Sequence, residues 1–405
     1  MSGPDVPAPL DVQWHDVLPD GYKGTYTAGD EPSFTLFAGN GRAIVPGTVV
    51  LEGSIECSIN NFVNKINVLD AEDHANLDKQ VGVHALIRGT NTANEARGQI
   101  ENIGAYPTAV RMTVDGTRTE VDVSTKSDLA AIRTPIEHVG LLYLNGAVVT
   151  DTGVLDQPGP PPVYFNPVGS YTQDATFSFA PQIILNRASG PISFARTGQI
   201  RTTFRLARET DAFYGPALNE VDFSYRITGL RLRYNTIAAT HAPAAVQALT
   251  YMTSEHTLSS NVSSITTVFP AADVRSFTMA FRSQIALQDA AANSLITERL
   301  IGLNSLVISL NDAINGPITK PVRDEMEALR LGLMSLGSAP LNSQIQARIA
   351  ASDGWLIGYP LGQPMDVSRV PFTVTISADA ISNLTPYLMT VVAHATVQIY
   401  GQAQA

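Results

Sequence analysis

The chain has 405 residues, of which 44% are hydrophobic and 16% charged, with 26 basic against 37 acidic side chains and a net charge of −11. These figures exclude a disordered chain and argue against extensive contact with nucleic acid, which needs a concentrated excess of Lys and Arg. One cysteine, Cys57, excludes an intramolecular disulfide and a cysteine-built zinc site, and suits a reducing compartment.

The length exceeds one ordinary core, so two domains are expected. The charged fraction is below the roughly one quarter usual for soluble domains, which points to surface meant for burial against other copies.

Residues 1–19 are expected to form an extended arm. Pro4, Pro7 and Pro9 stiffen them, and Asp5, Asp11 and Asp16 are their only charged side chains. They have neither the basic nor the apolar region of a leader peptide.

From Leu51 to Ile59 the polar Glu52, Ser54, Glu56 and Ser58 alternate with Ile55, Cys57 and Ile59. That period of two predicts a half-buried strand. Val110, Met112 and Val114 repeat it and run into Asp115-Gly116, a two-residue hairpin signal. The longest apolar stretch, Val139 to Val149, is broken by Asn145 and Gly146 and is too short to span a bilayer. Pro158 to Pro162 predicts a stiff loop.

Ile200, Thr202, Phe204 and Leu206 share one strand face, with Arg201, Thr203 and Arg205 on the other. Leu230, Leu232 and Tyr234 oppose Arg231 and Arg233 in the same way. Ala238 to Val246 has the composition of a connection between domains. A short Ala-rich helix is predicted over Gln284 to Asn293, and a longer one over Pro321 to Leu336. In the latter Val322, Met326, Leu329, Leu333 and Leu336 recur at spacings of four and three, with Thr319 as cap, Pro321 in the first turn and Gly337 as the stop. Arg323 and Glu327 can pair on its outer face. Phe372-Val374-Ile376 and Ala395-Val397-Ile399 are the last alternating runs. Many short strands with little helix predict an all-β protein of two sandwich or jelly-roll units.

No catalytic, cofactor-binding or metal-binding residue is assigned. Gly39-Asn40-Gly41-Arg42-Ala43-Ile44 begins like a dinucleotide loop but has Ile44 where the third glycine belongs. No phosphate loop, nucleophile elbow or zinc-protease helix is present. Asp70, Glu72, Asp73, His74 and Asp78 could hold calcium but lack the glycine and the terminal Glu of a calcium loop, so a solvated loop is expected. Histidines 15, 74, 84, 138, 241, 256 and 394 are scattered without ligand spacing. Cys57 is expected to be a small core residue. Arg201, Arg205, Arg231 and Arg233 either pair with another copy or line a wet strand face. Asn261-Val262-Ser263 and Asn383-Leu384-Thr385 fit glycosylation acceptors, a weak signal without a leader.

The order of segments resembles the double jelly-roll major capsid proteins of tailless icosahedral DNA viruses. The resemblance covers residues 20 to 400. It is carried by Phe37 to Ile44 with Leu51 to Ile59, by Val81 to Arg88 with Gly98 to Ile103 and Tyr106-Pro107, and by Phe177 to Asn186 with Gly190 to Ile192 and the Ile200 to Leu206 strand. Tyr225 to Tyr234 would close a first unit. Leu306 to Asn311, the Pro321 to Leu336 helix, Gly354 to Leu361, Asp366 to Ser368 and Tyr387 to Tyr400 would build a second. A basic amino-terminal arm is not recognisable, and the second unit is short.

The resemblance implies two tandem jelly-roll barrels, residues 20–240 and 241–405, with long loops and one or two short helices. It implies a non-enzymatic shell protein, synthesised in the host cytoplasm, that forms pseudo-hexagonal homotrimers in a virion. The implied partners are neighbouring capsomers, penton and minor capsid proteins and, commonly, an internal membrane; direct nucleic-acid binding is not expected. The alternatives are a penton or receptor-binding capsid component, with one jelly roll and a shaft or knob, and a two-jelly-roll carbohydrate-binding protein or enzyme. The latter would need paired acids and aromatics in one groove, whereas Trp14 and Trp355 lie far apart.

Overall fold

The computed structural model describes residues 11–60, 66–67, 75–78, 81–117, 141–142, 164–165, 171–215, 222–271, 273–312, 316–322, 325–336 and 355–400. Eight principal strands form the first half: β1 (Gln13–Val17), β2 (Ser33–Leu36), β3 (Val50–Asn60), β4 (Ile87–Asn94), β5 (Gly98–Ile103), β6 (Tyr171–Phe179), β7 (Ile200–Leu206) and β8 (Asp222–Ala238). Eight more form the second: β9 (Val246–Leu258), β10 (Val262–Thr267), β11 (Val274–Ser283), β12 (Leu303–Asp312), β13 (Gly316–Val322), β14 (Leu356–Met365), β15 (Phe372–Ala378) and β16 (Tyr387–Tyr400).

The first half makes two antiparallel sheets, in the orders β1-β8-β3-β6 and β2-β7-β4-β5. The second half makes β9-β16-β11-β14 and β10-β15-β12-β13. Each order in the second half is the first with eight added to every strand number. Two four-stranded sheets with this interleaved connectivity are the two Greek keys of a jelly roll, and the chain contains it twice. Short segments extend the first unit: Thr25–Thr27 and Arg42–Ile44 also pair with β8, and Ile192–Ser193 pairs with Arg42–Ile44.

The alternating segments fold as their pattern requires. Along β7 every second residue from Ile200 is buried while Arg201 and Arg205 are exposed, and β15 alternates in the same way from Phe372.

Three expectations need correction. Val110, Met112 and Val114 lie on a helix, α1 (Tyr106–Thr117), and Asp115-Gly116 falls in its last turn, not in a hairpin. The period of two misleads because a charged residue, Arg111, stands between apolar ones without facing water. It is buried and ion-paired to the buried Asp78 at 2.5 Å, so α1 is enclosed on all sides along Tyr106 to Met112.

The second predicted helix begins later than expected, as α2 (Glu325–Ser335). Thr319 and Pro321 belong to β13 instead, where Pro321 stands opposite Val307. β13 is an edge strand, the place where a missing N–H is tolerated. The Ala-rich candidate shortens to Gln284–Gln288, capped by the Ser283 hydroxyl, which accepts from the Ile285 amide at 3.2 Å. Arg323 and the Pro158 to Pro162 segment lie outside the described residues.

α1 follows β5 and α2 follows β13, the same connection in the two units. Ala328, Leu329 and Leu333 of α2 are buried against the second unit, with Met326 packed beside them. Close approach is set by two glycines. A β-carbon at Gly332 would lie 2.2 Å from Leu356 Cδ1, and one at Gly358 would lie 2.6 Å from the Gly332 Cα.

One core cluster fills the second unit around Phe277 and Phe372, stacked at 4.1 Å, together with Phe281 and Trp355. The other fills the first unit and runs on into Val246, Ala248, Ala280 and Val392 of the second. The surface between the units is therefore continuous with the first core.

Candidate functional site

A dense set of buried polar side chains lies where the two units meet. β9 is its spine. The Thr250 hydroxyl donates to Glu101 Oε1 of β5 at 2.9 Å, and the Thr253 hydroxyl oxygen accepts from the amides of Gly104 and Ala105 at 2.8 and 3.0 Å. Glu255 receives Arg88 of β4 and, at 2.8 Å, Arg282 of β11. Glu101 is fully buried and also accepts from Arg187 and the Ile184 amide. Burial pushes its carboxyl above the ordinary range, against the pull of Arg187.

A second line of contacts crosses the seam twice. The Arg187 guanidinium of the first unit lies 4.1 Å over the Tyr251 ring. Tyr251 meets the His394 ring edge-on at 5.3 Å, and His394 Nε2 shares a 2.8 Å hydrogen bond with the Thr278 hydroxyl. Thr278 in turn reaches Met112 Sδ on α1 of the first unit. Burial, helped by the Arg187 charge, lowers the His394 pKa to about 4, so the ring is neutral.

Asp78 completes the join, holding Arg111 of its own unit and Asn293 of the other at 2.7 Å. Beside the spine a groove of about 640 Å³ opens between the free edges of β5 and β9, lined by Arg97, Gln99, Asn102, Met252 and Phe269 among others.

The outer face of the sheet β1-β8-β3-β6 carries a ladder of ion pairs: Asp16–Arg233 at 2.7 Å, Arg233–Glu52 at 3.2 Å, Arg231–Glu52 at 2.8 Å and Arg226–Glu56 at 2.5 Å. Arg201 pairs with Asp20 and Arg205 with Glu31. Arg201, Arg205, Arg231 and Arg233, open to pairing with another copy or to lining a wet strand face, thus each have a carboxylate in their own chain. Arg233 also lies 5.3 Å from the centre of the Trp14 ring, which is 60% exposed.

The remaining sequence candidates are dispersed. Asp70, Glu72, Asp73, His74 and His138 lie outside the described residues, which leaves Asp78 as the described member of the acidic cluster. Among the described residues no group of three His, Cys, Asp or Glu side chains converges on one point. Cys57 is buried in β3, where desolvation pushes its thiol far above the ordinary range. His15 bonds Thr236, His84 bonds the Tyr106 hydroxyl and His256 bonds Ser254. His241 stands in an exposed turn, and Gly39 makes a tight turn at φ 91° before Arg42–Ile44. Asn261 and Asn383 are both exposed. The seam residues Glu101, Arg187, Glu255 and Arg282 were missed. Glu101 and Arg282 carried one sequence signal, a charged residue next to apolar strand positions, as in Ile100-Glu101-Asn102-Ile103 and Met279-Ala280-Phe281-Arg282, whereas Arg187 and Glu255 stand among mostly polar neighbours.

The sequence matches no protein-family profile and no curated protein. Its structure does have counterparts. It superposes on a chain of the Sputnik virophage with a TM-score of 0.53 at 10% identity, covering 97% of this chain and 87% of that one. The mavirus major capsid protein gives 0.52 at 11% identity, covering 97% and 88%. The Faustovirus major capsid protein gives 0.53 at 8% identity, covering 97% and 91%. The fold is the double jelly roll. Both barrels and the seam between them fall inside the matched length, so the double jelly-roll match is to the tandem arrangement and not to one barrel alone. At such identities the likeness is one of fold, and no individual side chain carries over.

Proposed function

We propose that the chain is a major capsid protein, the repeating tile of an icosahedral virus shell. The observation that carries this is the tandem of two barrels with identical strand order, joined by a buried seam, which superposes over 97% of this chain on 88% of the mavirus and 91% of the Faustovirus major capsid protein. A chain with two similar barrels has the shape a threefold assembly needs to present six-sided outlines. The proposed units are residues 20–240 and 241–405, preceded by the arm 1–19, and the proposed capsomer is a homotrimer.

Its proposed contacts are neighbouring capsomers, penton and minor capsid proteins, and an internal membrane. The proposed location is the virion after synthesis in the host cytoplasm. No enzymatic role is proposed. With a net charge of −11 the mean field of the subunit repels phosphate, so the genome would be held by another layer.

The test is light scattering with negative-stain imaging of the purified chain. A trimer of 43.3 kDa subunits has a mass of about 130 kDa, and an obligate interface of the size usual for such assemblies holds it together at micromolar concentration. Hexagonal particles of that mass are expected. A clean monomer at micromolar concentration, with no larger assembly, would overturn the proposal.

A further inference from the structure

A second, smaller cavity of about 90 Å³ opens beside the seam, where the segment following β7 meets the connection between β11 and β12. Its walls come from both units. Arg88, Arg208 and Asp211 belong to the first, Arg282 and Ser294 to the second, and Leu287, Leu295 and Leu388 give it an apolar side.

Three arginines thus line one small space, and two of them, Arg88 and Arg282, meet on the Glu255 carboxylate. Two carboxylates offset them: Asp211 binds Arg208 at 3.1 Å, and Glu255 is divided between Arg88 and Arg282. Glu209 adds a weaker acidic influence on Arg208 and does not line the cavity.

Arg282 shows the shortfall most directly. It is 4% exposed, reaches the Ser294 carbonyl only at 3.3 Å, and its Nε has no hydrogen-bond partner among the described residues. Desolvation and the charge of Arg88 hold its pKa below the ordinary arginine value even with Glu255 in contact. A buried cation with too little countercharge is costly. A cavity of this volume has room for more than one water, and equally for a five-atom oxyanion. Guanidinium groups match such an ion through paired N–H donors.

We propose that this cavity binds a small tetrahedral oxyanion, inorganic phosphate or sulfate, gripped by Arg88 and Arg208 of one barrel and Arg282 of the other. The bound ion supplies the missing negative charge and ties the two barrels together beside the Arg88–Glu255 pair, where Arg88 and Arg282 repel. At about 90 Å³ the space suits a free ion better than a larger phosphate ester.

The test is equilibrium dialysis of the intact protein against labelled inorganic phosphate, with ionic strength held constant by chloride. Saturable binding of one ion per chain is expected, with competition by sulfate. Arg208→Gln should weaken it by about tenfold or more, the worth of a hydrogen bond to a charged partner. The Arg208 side chain is 75% exposed, so this variant should melt like the parent in chloride alone. Arg205→Gln, at a distant exposed pair with Glu31, should bind phosphate as the parent does. A thermal-shift series gives an independent readout: phosphate should raise the melting temperature of the parent and of Arg205→Gln by more than that of Arg208→Gln, the common part being the general salting effect. Absence of saturable binding at about 10 mM phosphate, or undiminished binding by Arg208→Gln, overturns the proposal.

Discussion

Replacing His394 by Gln should remove a specific part of the acid sensitivity of the second unit. In the folded chain the ring is held neutral between Tyr251, Thr278 and the Arg187 charge, with its pKa lowered to about 4. In the unfolded chain it returns to about 6.5. As pH falls the unfolded state therefore takes up the proton first. The stability that the neutral ring confers is complete above pH 6.5 and is lost progressively between 6.5 and 4.

At about 1.4 kcal/mol per pH unit in that window, the loss is about 2 kcal/mol at pH 5 and about 3 kcal/mol at pH 4. These are upper figures, because the ring is part-buried and keeps some contact with solvent. Gln keeps a donor and acceptor near the Thr278 hydroxyl and carries no titrating group. Burial of Glu101 acts with the opposite sign, since a raised carboxyl pKa adds stability as pH falls; it is present in both proteins and cancels in the comparison.

Urea titrations at pH 7 and pH 5, at one protein concentration, would measure the difference through the fluorescence of Trp355, which is wholly buried in the second core. The parent should lose about 2 kcal/mol more than His394→Gln between the two pH values. Equal losses would show that His394 titrates normally in the folded protein and that the seam is open to water.

Leu329→Asp places a charge in the contact of α2 with the second barrel and should cost about 3 kcal/mol or more, seen as a lower urea midpoint; a variant that melts and assembles like the parent would remove α2 from the core. Gly332→Ala forces its methyl onto Leu356 and should cost about 1–3 kcal/mol, the usual range for overpacking, in the same assay. Gel-shift titration of the purified protein against single- and double-stranded DNA at physiological salt should show no micromolar complex. Salt-sensitive micromolar binding would reveal a basic patch that the net charge of −11 conceals.

What could be read in the sequence was whatever repeats locally. The strands β3, β7, β8 and β15 announced themselves because one face meets a core and the other meets water. α2 did so because its apolar stripe returns every three or four residues. α1 fails the same test: along Tyr106 to Met112 it is enclosed all round, so neither period applies, and the partner that makes Arg111 a buried residue, Asp78, lies 33 positions away. The seam was illegible for a related reason. Glu101 and Thr250 are 149 residues apart and Arg88 and Glu255 are 167 apart, and no local pattern reports a pairing at that range. Length and strand pattern reached two β units, and the resemblance to capsid proteins added which segments build each of them, because it compares their order over the whole chain.

The seven residues between the end of β8 and the start of β9 make the seam an intramolecular contact. Flexible tethers of that length hold their ends at millimolar effective concentration. A contact formed under such conditions need not be strong by the standard of two free molecules. That explains why this one tolerates buried charges such as Glu101, Arg187 and Arg282, whose desolvation would weaken an interface between separate chains. Cutting the chain within 239–245 would therefore be a more severe change than its few residues suggest, since it would leave the same side chains in place while removing the concentration that keeps them together.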